Sequence, residues 1–351
     1  MEFGYYLSIQ LDKHKAMQPR DIVKMCYQAA FGAEHLLSDM EAAKRYFYSE
    51  YESVEACDEE LYEEISEDVC RVNLRAWKAS SMPSEWLFNM FVNSASVPHG
   101  SRELFLGYLQ EAEDILRSAE ATFTLNEWSE FIAEYKAKGI TAVHHSEVYR
   151  ESEKPAYRII NSRFIKVLPV LKEAAGLPVK QGANVIAIDG RAAAGKTTMA
   201  KMLEVVLGAE IIHMDDFFLP PELRCEERFE EPGGNVHYER FIEEVLPNVT
   251  GTEAFAYRIF DCGIMDYNGE QKIGESKWRI VEGSYSHHPK FGAYADIRVF
   301  LDVEPEEQMR RILTRNGENM AKMFKERWIP LEEKYFKTSF FQQNNDKIIS
   351  L

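Results

Sequence analysis

The amino-acid sequence predicts an α/β fold, a parallel sheet with helices on both faces, preceded by an all-α domain. Three observations predict it. Residues 1–178 read as one helix after another, short β-branched runs alternate with helical sequence over 183–351, and a glycine loop joins the first such run to the helix after it. Strands alternating with helices are the pattern of a parallel sheet covered on both faces. At 351 residues the chain is long for one domain and sufficient for two cores. With 45% hydrophobic and 28% charged residues it is ordinary for a globular protein, which excludes disordered, collagen-like and disulfide-scaffold classes.

In the first part, the segment from Asp21 places Ile22, Met25, Cys26 and Ala29 on one helical face. Residues 101–122 repeat the pattern through Phe105, Tyr108, Leu109, Ala112 and Leu116. A later helix is expected over 157–175, carrying Ile159, Phe164, Val167, Leu168 and Leu171, with a kink or break at Pro169. Turn signals at Met82-Pro83-Ser84 and at 97–100 separate these pieces. No fixed period recurs, which argues against a solenoid. Between Glu50 and Asp68 lie ten acidic residues and no Lys or Arg. That stretch reads as a solvated face, with a docking surface for a basic partner as the competing reading.

Residues 176–182 look like a connector. Beyond it 185–188, 211–212, 279–281 and 297–301 read as strands and 198–207 as a helix. The expected division is therefore a helical domain over 1–178 and an α/β domain over 183–351.

The formal charge is 41 − 58 = −17. An acidic surface repels phosphate backbones, so nucleic acid is not an expected partner. Five scattered cysteines without a CxxC pair fit a reducing compartment. No basic-then-apolar leader and no apolar run near the roughly 20 residues of a membrane span is present, so a cytoplasmic location without a membrane partner is expected. A homo-oligomer stays open.

The segment Gly190 to Thr197, GRAAAGKT, matches the phosphate-binding pattern GxxxxGK[ST]. Glycines let successive backbone N–H groups curl toward an anion, and the following helix adds its positive end. Gly190, Ala193, Gly195, Lys196, Thr197 and Thr198 are the expected residues of an ATP- or GTP-binding site, Lys196 on the terminal phosphates and the Thr197 hydroxyl on Mg²⁺. The loop follows a strand and opens a helix, as a P-loop NTPase requires. Asp215 and Asp216 stand at the carboxyl end of the next strand, the edge where open parallel sheets bind ligands. A carboxylate there can accept a proton from an attacking hydroxyl. Glu282, at a later strand end, is a further Mg²⁺ candidate. Arg310, Arg311 and Arg315 cluster cations in an acidic chain, and Arg311 and Arg315 are four apart, on one side of a helix. They are expected to close over a transferring phosphoryl group.

At these residues the sequence resembles the uridine kinase and phosphoribulokinase family of P-loop kinases, to which pantothenate kinase and nicotinamide riboside kinase also belong. The features in order are GRAAAGKTT, the Asp-x-Phe-aromatic motif from Asp215 to Phe218, Glu282-Gly283, and the Arg-Arg-Ile-Leu-x-Arg lid. They span about 183–325. The resemblance implies an ATP- and Mg²⁺-dependent kinase whose acceptor is a hydroxyl of a small nucleoside-like metabolite, uridine or cytidine first and pantothenate or another vitamin-like alcohol second. By the same resemblance, Asp215 is the base, Lys196, Arg311 and Arg315 act on the phosphates, and Thr197, Glu282 and Asp215 hold the metal. Substrate-side positions would be Asp216, His237, Tyr238, Arg258 and Tyr285. The sequence departs from the family at His237-Tyr238, where many relatives place an Asp before the aromatic, and around Tyr257-Arg258, where the sugar-recognising motif is only loosely echoed. The aromatic-rich stretch from Met323 to Phe336 reads as packing. His144-His145 suggests a metal but lacks a further ligand at suitable spacing. The competing function class is an ATP-dependent switch whose helical domain binds a protein partner. Against it stands Asp215, which a switch does not need.

Overall fold

The computed structural model describes residues 2–33, 39–97, 100–337 and 347–350. The chain divides into two compact units, Met1–Ile165 and Lys166–Leu351.

The first unit is mainly helical. Its helices are α1 (Phe3–Lys13), α2 (Pro19–Phe31), α3 (Met40–Ser53), α4 (Leu74–Ala79), α5 (Ser84–Ala95), α6 (Arg102–Leu116), α7 (Leu125–Ala137) and α8 (Glu147–Glu153). Local chemistry starts several of them. Gln18 and Asp21 form a reciprocal capping box on α2, whose first residue is Pro19, and Thr124 and Glu127 do the same on α7. The expected faces are buried: Ile22, Met25, Cys26 and Ala29 on α2 pack toward Phe105, Leu109, Ala112 and Leu116 on α6. Of the expected turn at 97–100, Pro98 and His99 lie outside the described residues.

The first unit is not all-α. It contains a three-stranded antiparallel sheet, β1 (Tyr62–Glu64), β2 (Val69–Asn73) and β3 (Tyr157–Asn161), in the order β1-β2-β3. The helix expected over 157–175 is three elements: strand β3, a 3₁₀ segment Ser162–Val167, and helix α9 (Leu168–Ala175). Pro169 sits in the first turn of α9, where its missing N–H costs nothing, so it starts a helix and does not kink one. Helix α9 packs against a strand of the second unit, although the sequence reading placed it in the helical half.

The second unit is the expected α/β layer structure. Strands β4 (Asn184–Gly190), β5 (Glu210–His213), β8 (Trp278–Glu282) and β9 (Ile297–Asp302) form a parallel sheet, extended by β10 (Lys347–Ser350), in the order β10-β9-β4-β8-β5. All four predicted strands fall inside these bounds. Helix α10 (Lys196–Leu207) packs on β4, β5 and β8 and stops at Gly208, in the left-handed conformation that suits glycine. Register opposes Ile188 and His213 to Glu282, so the carboxyl ends of β4, β5 and β8 lie side by side. Helices α11 (Glu226–Glu230), α12 (Tyr238–Glu244) and α13 (Leu246–Val249) follow β5, and the hairpin of β6 (Phe255–Asp261) and β7 (Asp266–Ile273) after them was not anticipated. It packs on the 3₁₀ turn Met214–Phe217, through Phe217 and Tyr257 with ring centroids 5.0 Å apart.

Candidate active site

The phosphate loop is built from strand β4 and helix α10. Gly190 leaves the strand at φ 141°, and a Cβ there would lie 2.1 Å from the Leu301 carbonyl oxygen, so only glycine fits. Ala193 (φ 61°) and Gly195 (φ 98°) turn the backbone into a concave nest before the first helical residue, Lys196. Lys196 Nζ donates to the Gly190 and Arg191 carbonyls at 2.7 and 2.9 Å. Beneath the nest Asp189 is fully buried, its carboxylate accepting from the backbone N–H groups of Gly190, Tyr285 and His287 and from the Tyr335 hydroxyl.

Thr197 donates its hydroxyl to Glu282, 3.2 Å from either carboxylate oxygen. Glu282 is 5% exposed and also meets His213 Nδ1 at 2.6 Å. That hydrogen bond raises the His213 pKa above its ordinary value. One buried carboxylate therefore joins the first turn of α10 to the end of β5.

The two adjacent carboxylates after β5 diverge. Asp216 turns toward the hairpin, where the Tyr257 hydroxyl donates to it at 2.9 Å. Asp215 faces a cleft of about 810 Å³ that Lys196, Thr197 and Glu282 also line. Its side chain has no hydrogen-bond partner among the described residues. It is open to the cleft and walled by protein elsewhere, and this desolvation raises its pKa against the pull of Lys196, with Glu282 and Asp216 adding repulsion.

The far wall comes from helix α14 (Pro305–Met323). Arg311 and Arg315 line the cleft together, as their spacing predicts, and Arg310 lines it too. Arg311 donates to the Ala193 carbonyl at 3.2 Å and to Glu307 at 2.7 Å. Gly317, at φ 76°, breaks the helix just beyond Arg315. The following π-helical stretch Phe324–Trp328 brings Phe324 and Trp328 to the cleft, whereas Tyr335 on α15 (Ile329–Phe336) is core. The aromatic tail thus divides between cleft wall and packing.

Of the five expected substrate-side residues, only Tyr285 lines this cleft. It is buried, at φ 74°. Asp216 serves the hairpin. His237 donates its backbone N–H to the Phe217 carbonyl at 2.6 Å. Tyr238 is buried under the Arg228 and Lys290 cations, and Arg258 pairs with Glu244 at 2.6 Å on the hairpin, so their chemistry is taken up structurally. Gly190 shapes the loop without lining the cleft, whereas Ala193, Gly195, Lys196, Thr197 and Thr198 line it. The sequence reading missed Glu332, which accepts from Ala192 N at 3.0 Å and Ser284 Oγ at 2.8 Å, and whose pKa burial pushes up. It also missed Arg224, Asn235, Cys262 and Met265 on the cleft wall. No motif marks these positions.

Among the described residues no group of three or more His, Cys, Asp or Glu is placed to hold a metal ion, and no helix is long and apolar enough to cross a membrane. The pair His144-His145 is no metal site: His145 bonds Asp21 at 2.9 Å and Tyr157 at 2.7 Å.

No protein-family model matches the chain, and no curated protein matches it. Among solved structures, the chain is similar to a possible uridine kinase from Bacillus stearothermophilus, at 18% identity and a TM-score of 0.42, over 53% of this chain and 98% of that one. It is also similar to a candidate fructose transport system kinase from Silicibacter sp. TM1040, at 20% identity and a TM-score of 0.40, over 50% of this chain and 92% of that one. The similarity covers about half of the chain.

Proposed function

We propose that the second unit is an ATP- and Mg²⁺-dependent kinase that transfers the γ-phosphoryl group to a hydroxyl of a small nucleoside-like metabolite. Uridine and cytidine are the first candidates, pantothenate or another vitamin-like alcohol the second. The observation that carries this reading is the Asp215 carboxylate, without a hydrogen-bond partner among the described residues and facing the same cleft as Lys196 and Thr197. A nucleotide switch has no use for a carboxylate held that way.

The residues fit the implied ligands. The nest at Ala193 and Gly195 with the start of α10 suits phosphate oxygens. The Thr197 hydroxyl and the Glu282 carboxylate are hard oxygen donors, the kind Mg²⁺ takes alongside water and phosphate. Bound there, Mg²⁺ would neutralise charge on the β- and γ-phosphates. The cleft volume lies within the usual range for small-molecule sites, about 300–1,000 Å³.

In the proposed reaction Lys196 leaves its carbonyls for the phosphates. Arg311 and Arg315 approach the transferring group from α14. Asp215 orients the acceptor hydroxyl and takes its proton as the new O–P bond forms. The bond from the γ-phosphorus to the bridging oxygen breaks, and ADP leaves. The acceptor faces Asp215, Tyr285, Asn235 and Arg224.

The test is ADP release by the purified protein with ATP and Mg²⁺, first without acceptor, then with nucleosides, pantothenate and ribosides, beside Lys196→Ala. A sharp rise with one acceptor, absent from the folded variant, is expected. Release indifferent to every acceptor would contradict the proposal.

A further inference from the structure

The first unit holds a second cavity, of about 340 Å³, wholly within residues 10–157 and outside the phosphate-loop cleft. Its floor is one face of the small sheet. Register sets Glu63 on β1 directly opposite Arg71 on β2, with Tyr157 on β3 diagonal to Arg71 on the same face.

Arg71 is 5% exposed and lines this cavity. Its Nη1 donates to the Tyr6 hydroxyl at 2.8 Å and its Nη2 to Gln28 Oε1 at 2.7 Å. The Tyr157 ring lies 4.5 Å from the guanidinium carbon. The third nitrogen, Nε, has no acceptor among the described residues. Among the described residues no carboxylate lies within ion-pair distance of Arg71. Glu63, its cross-strand neighbour, meets the Tyr6 hydroxyl at 3.3 Å instead. Buried guanidinium groups are normally paired, because an uncompensated charge away from water is costly. The same sheet shows the usual solution one residue on: Arg158, on β3 opposite Val72, pairs with Glu50 at 2.6 Å.

The surroundings do not supply the missing anion. Asp21 is occupied by His145 and Ser146. Lys24 is pushed down to about 8, by desolvation and then by the charge of Arg71. The interior here is short of negative charge.

The mouth is the reverse. Glu59, Glu60, Glu63 and Glu153 line the cavity with Arg71 and outnumber the two rim cations, Arg75 and Lys154. Glu153 is held by His14 at 2.7 Å and Glu59 by Asn73 at 2.7 Å. Such a rim repels a dianion such as phosphate and attracts an ammonium group. A cationic floor under an anionic rim matches a small molecule carrying one carboxylate and one ammonium.

We propose that this cavity binds a small zwitterion of the α-amino-acid type, its carboxylate on the Arg71 guanidinium and its ammonium toward Glu63 and the neighbouring glutamates. The Tyr149 and Tyr157 rings give its side chain an apolar wall. Binding needs neither ATP nor turnover, so it stands or falls apart from the kinase reading.

Isothermal titration calorimetry on the full chain, with each common L-amino acid and with inorganic phosphate, tests the proposal. The amino acid that binds is then compared with its N-acetyl and carboxamide derivatives. The expected result is binding by one amino acid or a chemically related set, weakened about tenfold or more by either block, with no heat from phosphate. Arg71→Met abolishes binding. Glu63→Gln weakens the parent amino acid while leaving the N-acetyl derivative unchanged. Since Arg71→Met removes buried bonds, its fold is checked by circular dichroism, and Glu63→Gln, on an edge strand, carries the test where that variant does not fold. Absence of binding by every amino acid, blocked derivatives that bind as well as the parent, or preference for phosphate would each overturn the proposal.

Discussion

Asp215→Asn probes the proposed base and leaves the scaffold alone. The side chain makes no hydrogen bond among the described residues, and asparagine has the same shape, so folding loses nothing by the exchange. It gains slightly. A carboxylate whose pKa desolvation has raised is destabilising when ionised, and that cost disappears with the charge. Lys196 keeps its two carbonyl partners, 2.7 and 2.9 Å away, and Thr197 keeps Glu282, so nucleotide affinity stays close to that of the parent. Turnover loses the proton acceptor. General-base removal costs about 10²–10⁴ in rate, or about 3–5 kcal/mol of barrier. The pH profile supplies a second readout. A raised pKa means that Asp215 is protonated, and inactive as a base, over a range that extends above the ordinary carboxylate value. The acid limb of kcat/KM therefore lies above that value in the parent and vanishes in the variant. Nucleotide titration, thermal melting and steady-state kinetics measure the three quantities. Turnover within a few-fold of the parent, or an unchanged acid limb, would refute the assignment of Asp215 as base.

Other expectations follow from the same structure. Gly190→Ala forces a Cβ to 2.1 Å from the Leu301 oxygen at a left-handed φ, so denaturant unfolding should show a loss of about 3 kcal/mol or more, and a near-neutral value would contradict the loop geometry. Arg311→Ala should lower kcat by about 10²–10³ with little change in nucleotide affinity, since the guanidinium stands at the cleft wall, where Glu307 and the Ala193 carbonyl hold it. In the first unit burial pushes His145 down to about 4, below its ordinary 6.5, despite its hydrogen bond to Asp21. A depressed histidine contributes stability that is complete above the unfolded value and is lost as pH falls toward the folded one. Unfolding free energy should thus decline between about pH 6.5 and 4, by up to about 3 kcal/mol; the contribution of Asp21, itself lowered, is lost only below that window. A stability flat across that window, or a decline that persists in His145→Gln, would count against it.

What the sequence disclosed was what neighbouring residues decide. The run from Asn184 to Leu207 carries strand, glycine loop and helix within one segment, and each part obeys a local rule, so the phosphate loop was legible. That Arg311 and Arg315 share one side of a helix was legible for the same reason, their spacing being a helical turn. Glu332 and Asp189 were not. Their bonds to Ala192 and Tyr335 join residues far apart in the chain, and no spacing announces such a contact. The segment 157–161 was misread because Ile159 suits either a helix face or a strand face, and the pairing with β2 that decides between them is set by residues 69–73. Substrate-side candidates fared worst. Tyr238 and Arg258 are side chains that could recognise a ligand, yet Arg228, Lys290 and Glu244 engage them first.

The central claim is transfer to a hydroxyl, and following the labelled γ-phosphoryl group tests it most directly. The protein is incubated with Mg²⁺, γ-labelled ATP and each candidate acceptor, and the products are separated by mass. The account predicts label in an organic phosphate of one acceptor, strongly reduced with Asp215→Asn. Label appearing only as inorganic phosphate, at a rate no acceptor changes, would contradict it.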